Sequence, residues 1–312
     1  MDCGMKSPNM AKYIKATIHE VQAIGLKVVA TICDQFNKPA INLLIEESRS
    51  ELARQGEQHH TYSSFINGEE VMPLYDPPHL LKGIRNNMLN GDVHFKWRSK
   101  TYEVAKWEHI IKLYELDGKL EHGIDPTDVN VSDYRMLNRL TDAHVYPNVI
   151  KKLKVRNSAQ VFSHRVSAVM RRFARDGNNL PAEAEQTANF LLFVDRLFDS
   201  VNGSLITPAG DAQYSPTRHT AFWMEAIQVL KTIKYRKNGR GCVPPTITNW
   251  ILTLDGLLNL WRKLRVVGFD PSSNCEDDDT EGALDCFKVF LLDNREHEMH
   301  GVFAHSEANV SE

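Results

Sequence analysis

Two clusters of basic residues are the first features of this 312-residue sequence with an evident chemical use. Eight lysines and arginines, and no acidic residue, lie between Lys151 and Arg175. Five more lie between Lys231 and Arg240, again without an acid. Cations grouped in this way favour the binding of phosphate groups. The same pattern is typical of a solvated helix face, so the sequence alone leaves both interpretations open.

Composition excludes several other classes of protein. The chain is 42% hydrophobic and 25% charged with a net charge of −3, which is ordinary for a globular protein and excludes disorder over most of its length. No segment approaches the roughly 18 apolar residues of a membrane span, and no signal peptide is recognisable, so we expect a soluble, intracellular protein without a membrane partner. The five cysteines are scattered, which argues against a disulfide framework.

The first 80 residues have the pattern of an α/β structure. Apolar residues at helical spacing predict a helix over 11–24, and the continuous apolar run at 26–33 predicts a buried strand ending at Asp34. A second helix is expected after Pro39. The turn signal Asn67-Gly68 then precedes a short strand, VMPLY, whose Pro73 confines it to a sheet edge. This order predicts parallel pairing through helical crossovers.

After about residue 80 the strand signals stop, and the middle of the chain is expected to be mostly helical. One helix begins at Pro181 and runs to Gly203, and two more are expected over 219–235 and 246–264. In the last of these, Leu258 shares an apolar stripe with its neighbours one helical turn away. Beyond 297 the sequence becomes polar and we expect a mobile tail.

Three segments together resemble a known family. YDPPHLLKGIRNNML at 75–89 is similar to the DPPHLLKxxRNN signature of P-element-type DNA transposases, including the THAP-domain transposases of animals. The segment 140–170 resembles the family's LTDxHV and KVxxAxQxFS stretches, and RLFDSVNGS resembles the end of its inserted domain. The resemblance covers about Asp34 to Ser204, and beyond Gly210 it rests on LTLDGLLNLW.

The resemblance implies an α/β fold in which a partial RNase H-like sheet is interrupted by a mostly helical insertion domain. The first strands of that sheet would precede this sequence, so we expect a chain truncated at its N-terminus. The expected domains are an RNase H-like part at 1–92, a helical GTP-binding insertion at 93–205, a second RNase H-like part at 206–297, and the tail at 298–312.

The same resemblance implies a metal-dependent catalytic centre, of which one acid is recognisable. RNase H-like transposases hold two divalent cations with two Asp and one Glu. Asp34 matches the second of these carboxylates and would ligate Mg²⁺, although an Asp in a turn after a strand is the ordinary alternative. Leu258 occupies the position of the Glu, and the first Asp is absent. Asp255, one turn from Leu258, is a candidate substitute.

The insertion implies a guanine-nucleotide site that contains no Walker-type loop. Lysine and arginine side chains there would meet phosphate, Ser163 would donate a hydrogen bond, and Asp199 would accept from the guanine edge. Arg139 lies where the family usually has Lys. The contacts implied by the resemblance are Asp133, Arg139, Lys154, Val155, Ser163, Asp199 and Asn202, with GTP and Mg²⁺ as the expected cofactors.

DNA contacts are expected from the signature helix, through Lys82 and Arg85, and from the basic segment 151–175. His79 either orients a neighbouring carboxylate or is a structural histidine. Two functions stay open. The first is a transposase-derived protein without cleavage activity that binds nucleotide, DNA, a transposase partner or a second copy of itself. The second is a fragment of an active transposase from an incomplete gene model. The resemblance implies a nuclear location; without it, the cytoplasm is expected.

Overall fold

The computed structural model describes residues 6–59, 61–118, 135–176, 180–202, 216–237 and 239–266. The fold is mixed α/β, as predicted. The chain divides into two compact units. Unit 1 comprises Met1–Asp76, Leu205–Thr220 and Leu252–Glu312, and unit 2 comprises Pro77–Ser204 and Ala221–Ile251. The domain boundaries expected from the sequence at residues 92, 205 and 297 stay predictions.

Unit 1 contains a sheet flanked by the two helices that the apolar periodicity predicts. Strand β1 is shorter than the predicted 26–33, and the turn at Asn67 and Gly68 is confirmed by positive φ angles of 54° and 78°. In the described residues the strand order is β1-β3-β2, with β1 parallel and β2 antiparallel to β3. The elements are α1 Ser7–Ala23, β1 Ala30–Cys33, α2 Lys38–Arg54, β2 Ser64–Ile66 and β3 Glu69–Tyr75.

The expectation that Pro73 confines its strand to a sheet edge is wrong, because β3 is the central strand. The N–H groups of Met72 and Asp76 bond to carbonyls on the β1 side, so the alternate residues face the other way. On that side, β2 pairs only as far as Val71. The next residue that faces this side is Pro73, which has no N–H group. The one after that is Tyr75, whose N–H donates to the hydroxyl of Thr253 at 2.9 Å. A proline is therefore tolerated in this central strand.

Unit 2 is built mainly from helices, and two further helices contribute residues to both units. The predicted helices over 181–203, 219–235 and 246–264 are confirmed with small shifts of their ends. The unit 2 helices are α3 Pro77–Met88, α4 Trp107–Gly118, α5 Asp142–Val145, α6 Val155–Val161, α7 His164–Arg175 and α8 Ala184–Asn202, and the shared ones are α9 Pro216–Thr232 and α10 Pro245–Val266.

Unit 2 also contains an antiparallel four-stranded sheet, so the expectation that strands stop after residue 80 is wrong. The strand order is β5-β4-β6-β7. These strands have three or four residues each, and pairs such as Val93 with Tyr235 join distant parts of the chain. Such short runs show too little alternation to be recognised alone. The strands are β4 Asp92–Phe95, β5 Glu103–Ala105, β6 Lys234–Lys237 and β7 Arg240–Cys242.

One face of this sheet packs against α8. Phe95 and Phe190 have ring centroids 5.2 Å apart, and Trp97 and Phe193 lie 5.5 Å apart. The side chains of Phe95, Phe190 and Phe193 are fully buried, so aromatic packing fixes α8 against the strands. In the described part of the chain, no helix has the length and apolar character needed to cross a membrane.

Candidate functional site

An open cavity of about 510 Å³ lies in unit 2, within the range of small-molecule sites. Its walls come from the segment before α5, from α5 itself, and from α6 with the residue that precedes it. Three of the residues implied as nucleotide contacts meet here, and four others join them. The lining residues are Arg139, His144, Lys154, Val155, Arg156, Asn157 and Gln160.

Three cations give the cavity its electrostatic character. Arg139, Lys154 and Arg156 are all exposed at its surface. Among the described residues that line the wall, none carries a carboxylate. Solvent-exposed guanidinium and ammonium groups at one concave surface can donate several charge-assisted hydrogen bonds to one polyphosphate.

A buried histidine joins the two sides of the cavity. The backbone N–H of Thr141 donates to His144 Nδ1 at 3.1 Å, so the ring proton lies on Nε2. That Nε2–H donates to Gln160 Oε1 at 2.6 Å. The Gln160 amide NH₂ is a further donor group beside the three cations. Asn157 is held by its own amide, which donates to the carbonyl of Ala143 at 3.1 Å.

Arg85 holds the backbone of the segment that leads into the cavity wall. Its residue is fully buried, and its guanidinium donates to the carbonyl oxygens of Lys152 and Lys154, the latter at 3.4 Å. Burial also lowers the pKa of Arg85. Lys82, one turn earlier on α3, is only 7% exposed. The expectation that Lys82 and Arg85 contact DNA phosphates does not fit this burial, because direct phosphate contact needs a solvent-exposed cation.

Ser163 caps α7 and is adjacent to the cavity wall rather than part of it. Its hydroxyl accepts from the Val166 N–H at 3.3 Å and donates to the Gln160 carbonyl at 3.0 Å. The next residue, His164, donates its backbone N–H to the carboxyl of Asp195. Hydrogen bonds thus link the cavity wall to α8 through the junction of α6 and α7.

Asp195 and Asp199 lie one helical turn apart on α8. Burial, followed by the like charge of Asp199, raises the pKa of Asp195 to about 6, while the bond from His164 and the charge of Arg196 act in the opposite sense. Asp199 reaches solvent, and partial burial of its carboxyl raises its pKa as well. Neither acid lines the cavity. Asp133 and the side chain of Asn202 lie outside the described residues.

A second group of acids lies in unit 1, where Asp34 and Asp76 follow neighbouring parallel strands. Cys33 pairs with Tyr75 at the ends of β1 and β3, and the Asp76 N–H donates to the Cys33 carbonyl at 3.0 Å. The two carboxylates therefore lie at the same sheet edge. Burial and then the charges of both acids raise the pKa of Cys33 to about 12. Asp34 Oδ1 also accepts from the Gln35 N–H at 2.7 Å, as in the turn alternative.

The donor set formed by the described residues of unit 1 does not fit a two-metal centre. Leu258 is 5% exposed and lies in the core, as its apolar stripe predicts. Asp255 is exposed on α10 beside Asn259 and is not a buried replacement for the missing Glu. Within the described ranges, no group of three or more His, Cys, Asp or Glu residues could hold a metal ion. Two carboxylates fall short of the set that holds two divalent cations.

Sequence reasoning missed five residues of the cavity and the α8 acid pair, and it missed Asp76 of the unit 1 group. Arg156 and Asn157 directly follow Lys154 and Val155, and Asp195 precedes Asp199 by one helical turn. His144 and Gln160 belong to the motifs LTDxHV and KVxxAxQxFS. His144 and Gln160 could have been identified by their polarity within those motifs, since a buried polar side chain requires a partner.

Comparison with known proteins agrees with this geometry. Residues 78–213, which contain the cavity, match the family model of the TNP-like, GTP-binding insertion domain. The fold is similar to that of the Drosophila P element transposase in its strand transfer complex, with a TM-score of 0.62 and 16% sequence identity. The match covers 82% of this chain and 53% of the transposase chain, so this sequence spans about half of its length. No curated protein sequence matches the chain. Residues 78–213 are thus similar to a TNP-like, GTP-binding insertion domain, in a chain whose fold is similar to that of the P element transposase.

Proposed function

We propose that this chain is a P-element-like, transposase-derived protein that binds guanine nucleotide through its insertion domain. The observation that supports the proposal best is the cavity with three exposed cations, located in the segment that matches a GTP-binding domain. Arg139, Lys154 and Arg156 bind the phosphates, and Val155 packs against the ligand. Mg²⁺ enters with the phosphates, since it prefers substrate oxygens and retained waters to an all-protein cage.

Asp199 accepts from the guanine edge, and Ser163 orients the junction between the cavity and α8. A carboxylate can accept both N–H groups of guanine, whereas adenine lacks that pair of donors. Asp195 is the second acid of this pair, and the charge of Asp199 contributes, after burial, to its raised pKa. Asp133 and Asn202 complete the proposed contact set.

Calorimetry on the 312-residue chain, with GTP or ATP in the presence of MgCl₂, tests this proposal. We expect binding of GTP in preference to ATP. The double variant Arg139→Ala/Lys154→Ala should weaken GTP binding at least about tenfold, whereas Lys112→Ala/Arg165→Ala, which removes two exposed cations elsewhere in unit 2, should not. Absence of heat with millimolar GTP would overturn the cavity assignment, and unchanged affinity in Asp199→Ala would overturn the guanine assignment.

DNA binding and nuclear action are parts of the same proposal, with a transposase or a second copy of the chain as protein partner. The alternative is that the chain is a fragment of an active transposase that cleaves and joins DNA with metal ions. Asp34 and Asp76 at one sheet edge favour that alternative. The burial of Leu258 weighs against it, because a leucine in the core cannot supply a ligand.

A further inference from the structure

Two cations of the second basic cluster, Lys234 and Arg236, lie on one face of the four-stranded sheet in unit 2. Side chains alternate across a strand, and Val93, Phe95 and Tyr235 point into the core. Their neighbours must therefore point outward. Lys234 and Arg236 are exposed on this outer face, and His94 and Asp92 lie opposite them on β4.

The same face continues across β5. His94 pairs with Val104, so Lys96 before the turn and Tyr102 after it lie on the outer side, and Lys106 follows on that side beyond β5. Tyr102 is 46% exposed, and the Lys96 ammonium lies 4.7 Å from its ring centroid. The outer face thus contains four cations, a histidine and an exposed aromatic ring, with Asp92 as an acid among them.

The edge beside β7 leaves room for a ligand against the backbone. Gly241 pairs with Arg236, and a side chain added there would meet the Arg236 Cγ no closer than 3.8 Å. An open depression of about 360 Å³ lies here, lined by Lys234, Arg236, Gly239, Gly241, Cys242 and Val243. On β4, burial and then the nearby charge of Arg236 lower the pKa of His94.

We propose that this sheet face, defined by Lys96, Tyr102, Lys106, Lys234 and Arg236, binds single-stranded nucleic acid. Lys234 and Arg236 lie two residues apart along β6, about 7 Å, which is comparable with the separation of successive phosphates in an extended strand. Tyr102 lies two strands across the sheet and two residues along it from Lys234, about 12 Å away, where it can stack on an unpaired base. An acidic peptide would match the cations but not the exposed ring.

This surface is formed by elements other than those of the nucleotide cavity, so it can be tested independently. The assay is fluorescence anisotropy of a labelled oligo(dT) of about 20 nucleotides and of a duplex of equal length, with the full chain in about 50 to 200 mM KCl. The test variant is Lys234→Glu/Arg236→Glu. The control variant, Lys12→Glu/Lys112→Glu, makes the same change of net charge at exposed positions outside both basic segments.

We expect the wild-type chain to bind the single strand more tightly than the duplex. The test variant should lose about tenfold or more in affinity, and its slope of log affinity against log salt should fall by about 1.4, which corresponds to two phosphate contacts. The control variant should keep the affinity and the salt dependence of the wild type. Tyr102→Ala should weaken binding of the single strand several-fold and leave the duplex unchanged. Thermal melting establishes that each variant is folded.

Three results would overturn the proposal. The first is absence of oligonucleotide binding by the wild-type chain at the lowest salt concentration. The second is an equal loss in the control variant, which would mean that net charge alone governs binding. The third is tighter binding of the duplex that Tyr102→Ala does not affect. None of these depends on the outcome of the GTP titration.

Discussion

The imidazole Nε2 of His144 lies 2.6 Å from Oε1 of Gln160, and this hydrogen bond joins two sequence motifs across the cavity of unit 2. His144 is 8% exposed, and its Nδ1 accepts from Thr141. Both ring nitrogens are therefore satisfied only when Gln160 is in place.

Gln160→Ala should lower the free energy of unfolding by about 1–3 kcal/mol, because it leaves a buried N–H donor without an acceptor. Gln160→Glu retains an acceptor and should recover most of the lost stability. The same change places a negative charge among three cations, so it should weaken GTP binding more than it affects stability. Denaturant unfolding and calorimetry separate the two effects. If Gln160→Glu binds GTP with the affinity of the wild type, GTP does not bind in this cavity.

Arg85 is expected to position the cavity rim rather than to contact DNA. Arg85→Lys cannot reproduce the paired donation of a planar guanidinium to Lys152 and Lys154, and a buried cation without its acceptors is costly. We expect a clearly lower melting temperature and weaker GTP binding. The slope of oligonucleotide affinity against salt should stay at the wild-type value. A slope reduced by about one, with normal stability, would instead indicate a direct phosphate contact.

The acid pair on α8 should make stability depend on pH. The pKa of Asp195 rises from 3.8 to about 6 on folding, so the folded state binds the proton more tightly and stability falls as the pH rises from about 4 to about 6. Asp195→Asn keeps an acceptor for the His164 N–H and removes the charge. It should raise the melting temperature at about pH 7.5 and leave it nearly unchanged at about pH 4. Asp255→Asn, at an exposed position, is the control; an equal gain there would contradict the argument.

Leu258→Glu should destabilise the chain by several kcal/mol, because it places a carboxylate in a core position that is 5% exposed. Arg262→Glu, one turn further along α10 and exposed, introduces the same group and should cost much less. Urea unfolding of the two variants gives the comparison. If Leu258→Glu is as stable as Arg262→Glu, the position is open to solvent and a carboxylate there could ligate metal.

The 312-residue chain alone should not nick DNA that carries the ends of its source element, in either MgCl₂ or MnCl₂. Two-metal phosphoryl transfer needs several carboxylates around both ions, and the described residues bring together only Asp34 and Asp76. Asp34→Ala is the control for contaminating nucleases. Reproducible nicking by the wild type that Asp34→Ala abolishes would make the protein an active nuclease with a carboxylate that we have not identified.

Much of the local structure follows from the sequence alone. Apolar residues at helical spacing predict α1, α2, α9 and α10, and Asn67-Gly68 predicts its turn, because these features depend on residues close together in the chain. The motifs LTDxHV and KVxxAxQxFS contain His144 and Gln160, but the sequence alone does not predict the hydrogen bond that joins them. Local periodicity also places Leu258 in the core.

Long-range pairing decided the rest. Pro73 is tolerated in a central strand because its missing N–H would point toward β2 at a position where β2 has already ended. Strands β4 and β6 are far apart in the chain, and neither has enough residues to show a period, so only tertiary pairing reveals their sheet and its basic face. The sequence pattern predicts Arg85 as a surface cation on a helix, yet backbone carbonyls from a distant segment accept hydrogen bonds from its guanidinium. Whether a charged side chain faces water or supports a neighbouring segment depends on what packs against it, and a single sequence does not contain that information.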